Sequence, residues 1–191
     1  MNTNLAKLAL ADVVWKEKSI VKDIVLIAST SLMIALLAQV VIPIYPVPFT
    51  GQTLGVLLTG ALIGKKRASL SLLFYLIQGF IGLPVFVGGT FGIARLAGPT
   101  GGYLVGFVFA AIIVGHLTEK GWDRNFITSV FAMLIGSVVI YSFGLIWLSN
   151  FTGWDKVLSA GLIPFISGDI IKTLIAASIL PAGWKLIKKP K

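Results

Sequence analysis

An all-α membrane fold of six spanning helices is the architecture this sequence predicts, and three observations predict it. Of 191 residues, 57% are hydrophobic and only 12% are charged, about half the charge of a soluble domain. The sixteen Lys and Arg residues fall in short groups between long apolar stretches, the pattern of membrane topology. Those stretches hold pairs of helices at roughly 20 residues per span.

The first segment, 1–21, is expected to be a cytoplasmic N-terminal piece. It has no uninterrupted apolar core before Asp12, and Lys16, Glu17 and Lys18 follow, so it does not read as a signal peptide. Leu5, Leu8 and Trp15 fit a weak helix lying in the interface, and a disordered tail fits as well. A single membrane domain over 22–186 comes next, then a basic tail at 187–191.

Four basic clusters punctuate the chain: Lys16/Lys18/Lys22, Lys65/Lys66/Arg67, Lys120/Arg124 and Lys185/Lys188/Lys189/Lys191. Basic loops stay in the cytoplasm, so an even number of crossings separates neighbouring clusters. Ile24 to Gly64 is uncharged, too long for one span, and interrupted by Pro43, Pro46 and Pro48; proline removes a backbone donor and clashes with the preceding turn. Ala68 to Leu117 is divided by a Gly/Pro-rich loop, and Asn125 to Trp184 near residues 150–156. Two crossings in each give predicted spans of about 22–43, 51–64, 68–82, 100–118, 126–149 and 163–184. The second is short, so it is tilted or sheltered by neighbours. Only Arg95, Lys156 and Lys172 among the basic residues then lie away from the inner side. Trp147 and Trp154 mark the outer interface, Trp122 and Trp184 the inner one. Both termini are placed in the cytoplasm of a multi-pass inner-membrane protein.

Several functions are disfavoured at once. Six spans use up the length, leaving no room for a soluble catalytic domain. With no cysteine and a single histidine, His116, neither a thiolate nor a His-based metal site is expected. The net charge of +9 is topological, so no nucleic-acid partner is expected; the partner surface is the lipid bilayer. Gly60-Ala-Leu-Ile-Gly64-Lys65-Lys66 lacks the spacing and the Ser or Thr of a phosphate-binding loop, so any ATP-driven step needs another subunit.

The candidate chemistry lies in the charged residues that the membrane segments tolerate. A charge inside a span costs about 3 kcal/mol on insertion scales. Asp169 and Lys172 sit three residues apart on one face of the sixth span. They form either a structural ion pair or a polar ligand site open to the outer half, with Pro164 and Gly168 bending the helix entrance. Arg95 lies in an otherwise uncharged loop, 82–102, where the positive-inside trend disfavours it. It is either an interfacial Arg or a carboxylate clamp. That loop has the Gly/Pro composition of a lid. The first outer turn offers Tyr45 and Phe49 as flat apolar surfaces and Thr50, Gln52 and Thr53 as neutral hydrogen-bonding groups, unless these only cap and anchor. Tyr141 on the fifth span is a further candidate. Together they suit a small amphipathic molecule with a carboxylate at one end and a polar head at the other. Ala28, Ser31, Ala35 and Ala38 share one face of the first span. This stripe of small residues serves either packing within the bundle or docking of a partner. Gly60–Gly64 and Gly102–Gly106 are close-packing signals.

Four stretches resemble the BioY family, the biotin-specific S components of energy-coupling factor (ECF) transporters: Pro46-Val-Pro-Phe-Thr-Gly-Gln-Thr-Leu-Gly-Val-Leu-Leu-Thr-Gly, Gly82-Leu-Pro-Val-Phe-Val-Gly-Gly, Leu96-Ala-Gly-Pro-Thr-Gly-Gly-Tyr-Leu-Val-Gly-Phe and Pro164-Phe-Ile-Ser-Gly-Asp-Ile-Ile-Lys. The resemblance implies a six-helix S-component fold and capture of biotin from outside. It implies partnership with a transmembrane coupling protein and two cytoplasmic ATPases, the coupling protein packing on small residues of the first helix. Biotin would be cargo, with no cofactor. Gly51 and Ser167 stand where Leu and Pro are expected, and Lys65-Lys66-Arg67 replaces a Gly-Pro-Arg type of turn; these departures bear on backbone geometry. Biotin matches the site read from the residues: its carboxylate needs a cation, and its ureido ring offers two N–H donors and a carbonyl. Asp169 would accept from the ureido N–H. Lys172 would donate to the ligand or hold Asp169, and Arg95 would neutralise the carboxylate or close the loop. An S component for another vitamin, a solitary secondary carrier of a small organic acid and an intramembrane enzyme are the competing readings; for the last, no nucleophile–base pair is evident.

Overall fold

Residues 8–188 are described by a computed structural model. Leu5, and Lys189 and Lys191 of the tail, lie outside the described residues. The helices are α1 (Leu10–Val14), α2 (Ile20–Gln39), α3 (Gln52–Phe80), α4 (Ala94–Ala97), α5 (Gly101–Glu119), α6 (Phe126–Thr152), α7 (Val157–Gly161) and α8 (Ile166–Lys188). Ser19 caps α2, its hydroxyl accepting from Val21 N at 3.2 Å, and Asn125 caps α6 by accepting from Ile127 N at 2.9 Å. Each cap satisfies an amide that the first helical turn leaves free.

Among the described residues, four segments are long and apolar enough to cross a membrane: Ile20–Gln39, Gly101–Glu119, Phe126–Thr152 and Val157–Ile187. The other two crossings are the arms of α3. Its helix breaks at Gly64, whose φ of 77° and ψ of 165° suit glycine because it lacks Cβ. The chain reverses there, since Gln52 near one end of α3 donates from Nε2 to the Tyr75 hydroxyl near the other, at 2.7 Å. Lys65 N, freed by the break, donates to Glu119 Oε1 at 3.0 Å, and Lys65 Nζ pairs with Glu119 Oε2 at 3.2 Å. At 1.5 Å per residue the arms 52–63 and 65–80 are about 18 and 24 Å long.

The six crossings agree with the spans predicted from charge spacing to within about four residues. The first ends earlier because Val41–Ile42 pairs with Phe49–Thr50 as a short antiparallel ribbon, β1 with β2, in the register Val41↔Thr50. The Pro-rich turn at its tip hid this ribbon from the sequence pattern.

The bundle packs α3 between α2 and α5, with α6 on the far side of α5 and α8 against α6 and α3. Val56, Leu57, Leu72, Ala110, Ala111 and Val114 form the centre of the core. A Cβ at Gly60 would lie 2.7 Å from Ala111 O, so this glycine lets α3 and α5 touch backbone to backbone.

The stripe on α2 is largely a correction. Ser31, Ala35 and Ala38 are buried and only Ala28 is exposed. Ser31 Oγ donates to Gln78 Oε1 at 2.7 Å. The small residues let α2 close on α3 within the chain, so three of the four are not available as a docking face. Trp184 is a second correction: it is buried, and its indole N–H donates to Asp123, so it anchors the bundle rather than the interface.

The basic clusters meet at one end of the bundle. Arg67 bridges Asp12 at 2.8 Å and Asp23 at 2.6 Å. Lys22, 2% exposed, pairs with Asp12 at 2.9 Å, tying α1 to the starts of α2 and of the second α3 arm. Burial would raise the Asp12 pKa, but the hydrogen bonds from Lys22 and Arg67 outweigh it and hold the carboxyl below its ordinary value. The opposite end carries the β ribbon and the 81–100 loop.

Candidate ligand-binding site

A cavity opens beneath that loop. Six elements supply its polar lining: Thr50 from β2, Gln52 and Thr53 from the first turn of α3, Arg95 from α4, Thr100 and Tyr103 from the start of α5, Tyr141 from α6, and Asp169 and Lys172 from α8. Apolar and aromatic walls, among them Phe86, Tyr103, Phe107 and Phe165, complete it.

Asp169 is its electrostatic centre. Oδ1 accepts from Lys172 Nζ at 2.9 Å and from Thr53 Oγ1 at 3.4 Å, and Oδ2 accepts from the Tyr141 hydroxyl. The carboxylate and ammonium side chains are only 13% and 11% exposed. A carboxylate has about four acceptor positions; three are used, and the fourth is on Oδ2. Lys172 also donates to Thr53 Oγ1 at 2.8 Å and lies 3.9 Å from the Phe49 ring centre, so most of its donor capacity is spent inside the protein.

Arg95 differs. Its Nε donates to Thr90 Oγ1 at 2.7 Å and its Nη2 to Val87 O at 3.3 Å. Among the described residues its hydrogen-bond partners are neutral. The guanidinium is therefore held at the cavity with its charge uncompensated, the arrangement an incoming carboxylate can use.

The other expected residues divide. Thr50 and Gln52 line the cavity but bond to each other, Thr50 Oγ1 donating to Gln52 Oε1 at 3.1 Å. Phe49 does not line it; its ring backs Lys172 and stacks on Phe165 at 6.1 Å. Gly168 makes room for that ring, since a Cβ there would lie 2.2 Å from it. Tyr45 is a correction: at the ribbon tip it is 92% exposed and lies outside the cavity.

Several site residues were not singled out from sequence. Tyr103 packs edge-on against Tyr141 at 6.2 Å and donates to Gly161 O at 2.8 Å; its Gly-Gly-Tyr context read only as close packing. Phe86 brings the loop into the core. It fills a slot beside Tyr75 and Phe80, which Gly79 keeps open because a Cβ there would fall 2.0 Å from the Phe86 ring.

Comparison with known proteins gives a consistent result. The BioY family model matches residues 3–189. A probable biotin transporter BioY of Pyrococcus horikoshii is 40% identical over 158 residues, covering 83% of this chain and 93% of that protein. The biotin transporter BioY of Thermotoga maritima is 40% identical over 144 residues, covering 74% and 83%. Among solved structures, the S-component for biotin from an ECF-type ABC transporter superposes with a TM-score of 0.78 at 30% identity, covering 89% of this chain and 93% of that one. With this fold, this match along nearly the whole sequence and these relatives, the chain belongs to the BioY family.

Proposed function

We propose that this protein is a biotin-capturing S component. It would take biotin from the external side and deliver it inward in an ATP-driven assembly with an ECF transmembrane coupling protein and two cytoplasmic ATPases. The observation that carries this reading is the convergence of Asp169, Lys172 and the charge-uncompensated Arg95 on one apolar-walled cavity. The open acceptor position on Asp169 Oδ2 takes a ureido N–H. Lys172, committed to Asp169 and Thr53, fixes that carboxylate. Arg95 meets the valerate carboxylate. Biotin is cargo, and the chain uses no cofactor of its own.

The gathering of basic residues at the opposite end of the bundle supports an external mouth, a cytoplasmic position for both termini and residence in the cell membrane. Segment 1–21 then lies at the inner surface, 22–186 spans the bilayer and 187–191 is a cytoplasmic tail. Mass spectrometry of small molecules retained through purification, followed by calorimetry with biotin, thiamin and riboflavin, tests the proposal. Biotin is expected at near one per chain with neither competitor binding; capture of another vitamin in its place overturns the assignment. Uptake that persists without ATP or partner subunits and stops with a protonophore would instead identify a solitary carrier.

A further inference from the structure

Gln39, the last residue of α2, makes three hydrogen bonds with its amide. Nε2 donates to Ala35 O at 3.0 Å and to Phe86 O at 3.1 Å, and Oε1 accepts from Gly89 N at 2.9 Å. The first bond steadies the side chain on its own helix. The other two grip both ends of the Val87–Gly89 turn. Phe86 N donates to Thr90 O at 3.1 Å and closes the segment into a ring. The inner side of that ring holds Arg95. Val87 O accepts from both the Thr90 hydroxyl, at 2.8 Å, and Arg95 Nη2, at 3.3 Å, while Thr90 Oγ1 accepts from Arg95 Nε at 2.7 Å. Gln39 is exposed and does not line the cavity, so its path to a ligand runs through this turn.

We infer that Gln39 is a positioning residue for ligand capture: it fixes the Phe86–Thr90 turn, and through Val87 O and the Thr90 hydroxyl it aims the Arg95 guanidinium. The chemistry suits the task. A primary amide donates and accepts at once, so one neutral side chain satisfies a carbonyl and an N–H of the same turn. The turn also needs an external support, because Gly88 and Gly89 both have positive φ, 67° and 68°, and glycine resists ordering more than other residues.

This inference rests on the reading that Arg95 meets the ligand carboxylate, and the test separates the two. Calorimetry would compare biotin with biotin primary amide, which keeps the ureido head and loses the charge, on purified wild type, Gln39→Met, Arg95→Gln and the double variant. Gln39→Met keeps the length and apolar stem of the side chain and removes its amide. It is expected to weaken biotin roughly tenfold, because the Arg95 guanidinium is no longer held in line with the carboxylate, to leave the amide within twofold, and to add nothing in the Arg95→Gln background. The ligand-free thermal midpoint should fall by no more than a few degrees, with the variant still folded at the temperature of the titration. An equal loss on both ligands, or a full loss persisting without Arg95, overturns the inference in favour of a structural role, and so does no loss on either ligand. If Arg95→Gln weakens biotin and the amide equally, leaving the preference for biotin intact, the underlying reading falls together with the inference.

Discussion

Replacing Asp169 with Asn keeps the shape of the side chain and removes the charge on which the cavity is organised. In the wild type Lys172 sits 2.9 Å from Asp169 Oδ1, with both side chains nearly buried. The variant leaves that ammonium with Thr53 Oγ1 and the Phe49 ring as its remaining contacts. Removing one partner of a buried ion pair costs about 3–5 kcal/mol, most of which appears as lost stability of the free protein. For capture, the relevant change is a ligand N–H donating to a neutral amide oxygen instead of a carboxylate. A hydrogen bond to a charged group is worth about 1.5–3 kcal/mol, and its loss corresponds to roughly 10- to 150-fold in Kd. Titration calorimetry of biotin in detergent measures this, with a thermal melt to establish that the variant is folded. Tyr141→Phe removes one of the three donors to the Asp169 carboxylate, the one on Oδ2, and should cost less, about three- to tenfold. A folded Asp169→Asn protein binding within threefold of wild type, or a Tyr141→Phe loss exceeding it, would refute the assignment of Asp169 to the ligand head.

Three further outcomes are expected. Arg95→Gln should weaken biotin by about 30-fold, as loss of a charge-assisted pair with the carboxylate, while uptake by cells expressing it falls at low external biotin; unchanged Kd would remove Arg95 from the site. Gly79→Ala should weaken capture at least about fivefold, because its Cβ would fall 2.0 Å from the Phe86 ring and overpacking of this kind costs about 1–3 kcal/mol; calorimetry showing wild-type affinity would mean that the loop seats without Phe86. Burial pushes the Asp123 pKa up to about 6 from 3.8, against the opposing pull of the Trp184 hydrogen bond and Arg124. The folded state thus holds this proton more tightly, so the stability it contributes is full below 3.8 and is lost as pH rises through about 6. Thermal melts between about pH 4 and pH 7 should show the wild type losing stability relative to Asp123→Asn as pH rises, and the opposite slope would overturn the assignment.

The parts of this protein legible in its sequence are those governed by one dimension. Charge spacing gives the crossings because lipid penalises each ionised group alike, whatever the tertiary contacts. Asp169 and Lys172 are visible as a pair because three residues on a helix share a face. What lay beyond reach depends on rotation and long-range closure. Ala28, Ser31, Ala35 and Ala38 define a face, but small residues serve contact inside and outside a chain equally, and burial decides for the inside at three of them. Trp184 has the position of an interfacial anchor, and only the fold reveals Asp123 beneath it. Tyr45 and Phe49 look alike as aromatics in one turn, yet the ribbon register sends one to its tip and the other behind Lys172. Gln39 gave no signal, because its partners lie 47 and 50 residues away.

The brevity of the first α3 arm bears on how far cargo has still to travel. From Gly64 at the basic end to Gln52 beside the cavity, that arm climbs about 18 Å, whereas the hydrocarbon slab is about 30 Å thick. With Gly64 level with one face of that slab, the Gln52 end stops roughly 12 Å short of the other. Under the proposed function, a bound ligand would be parted from the basic end by a plug one short helical arm deep.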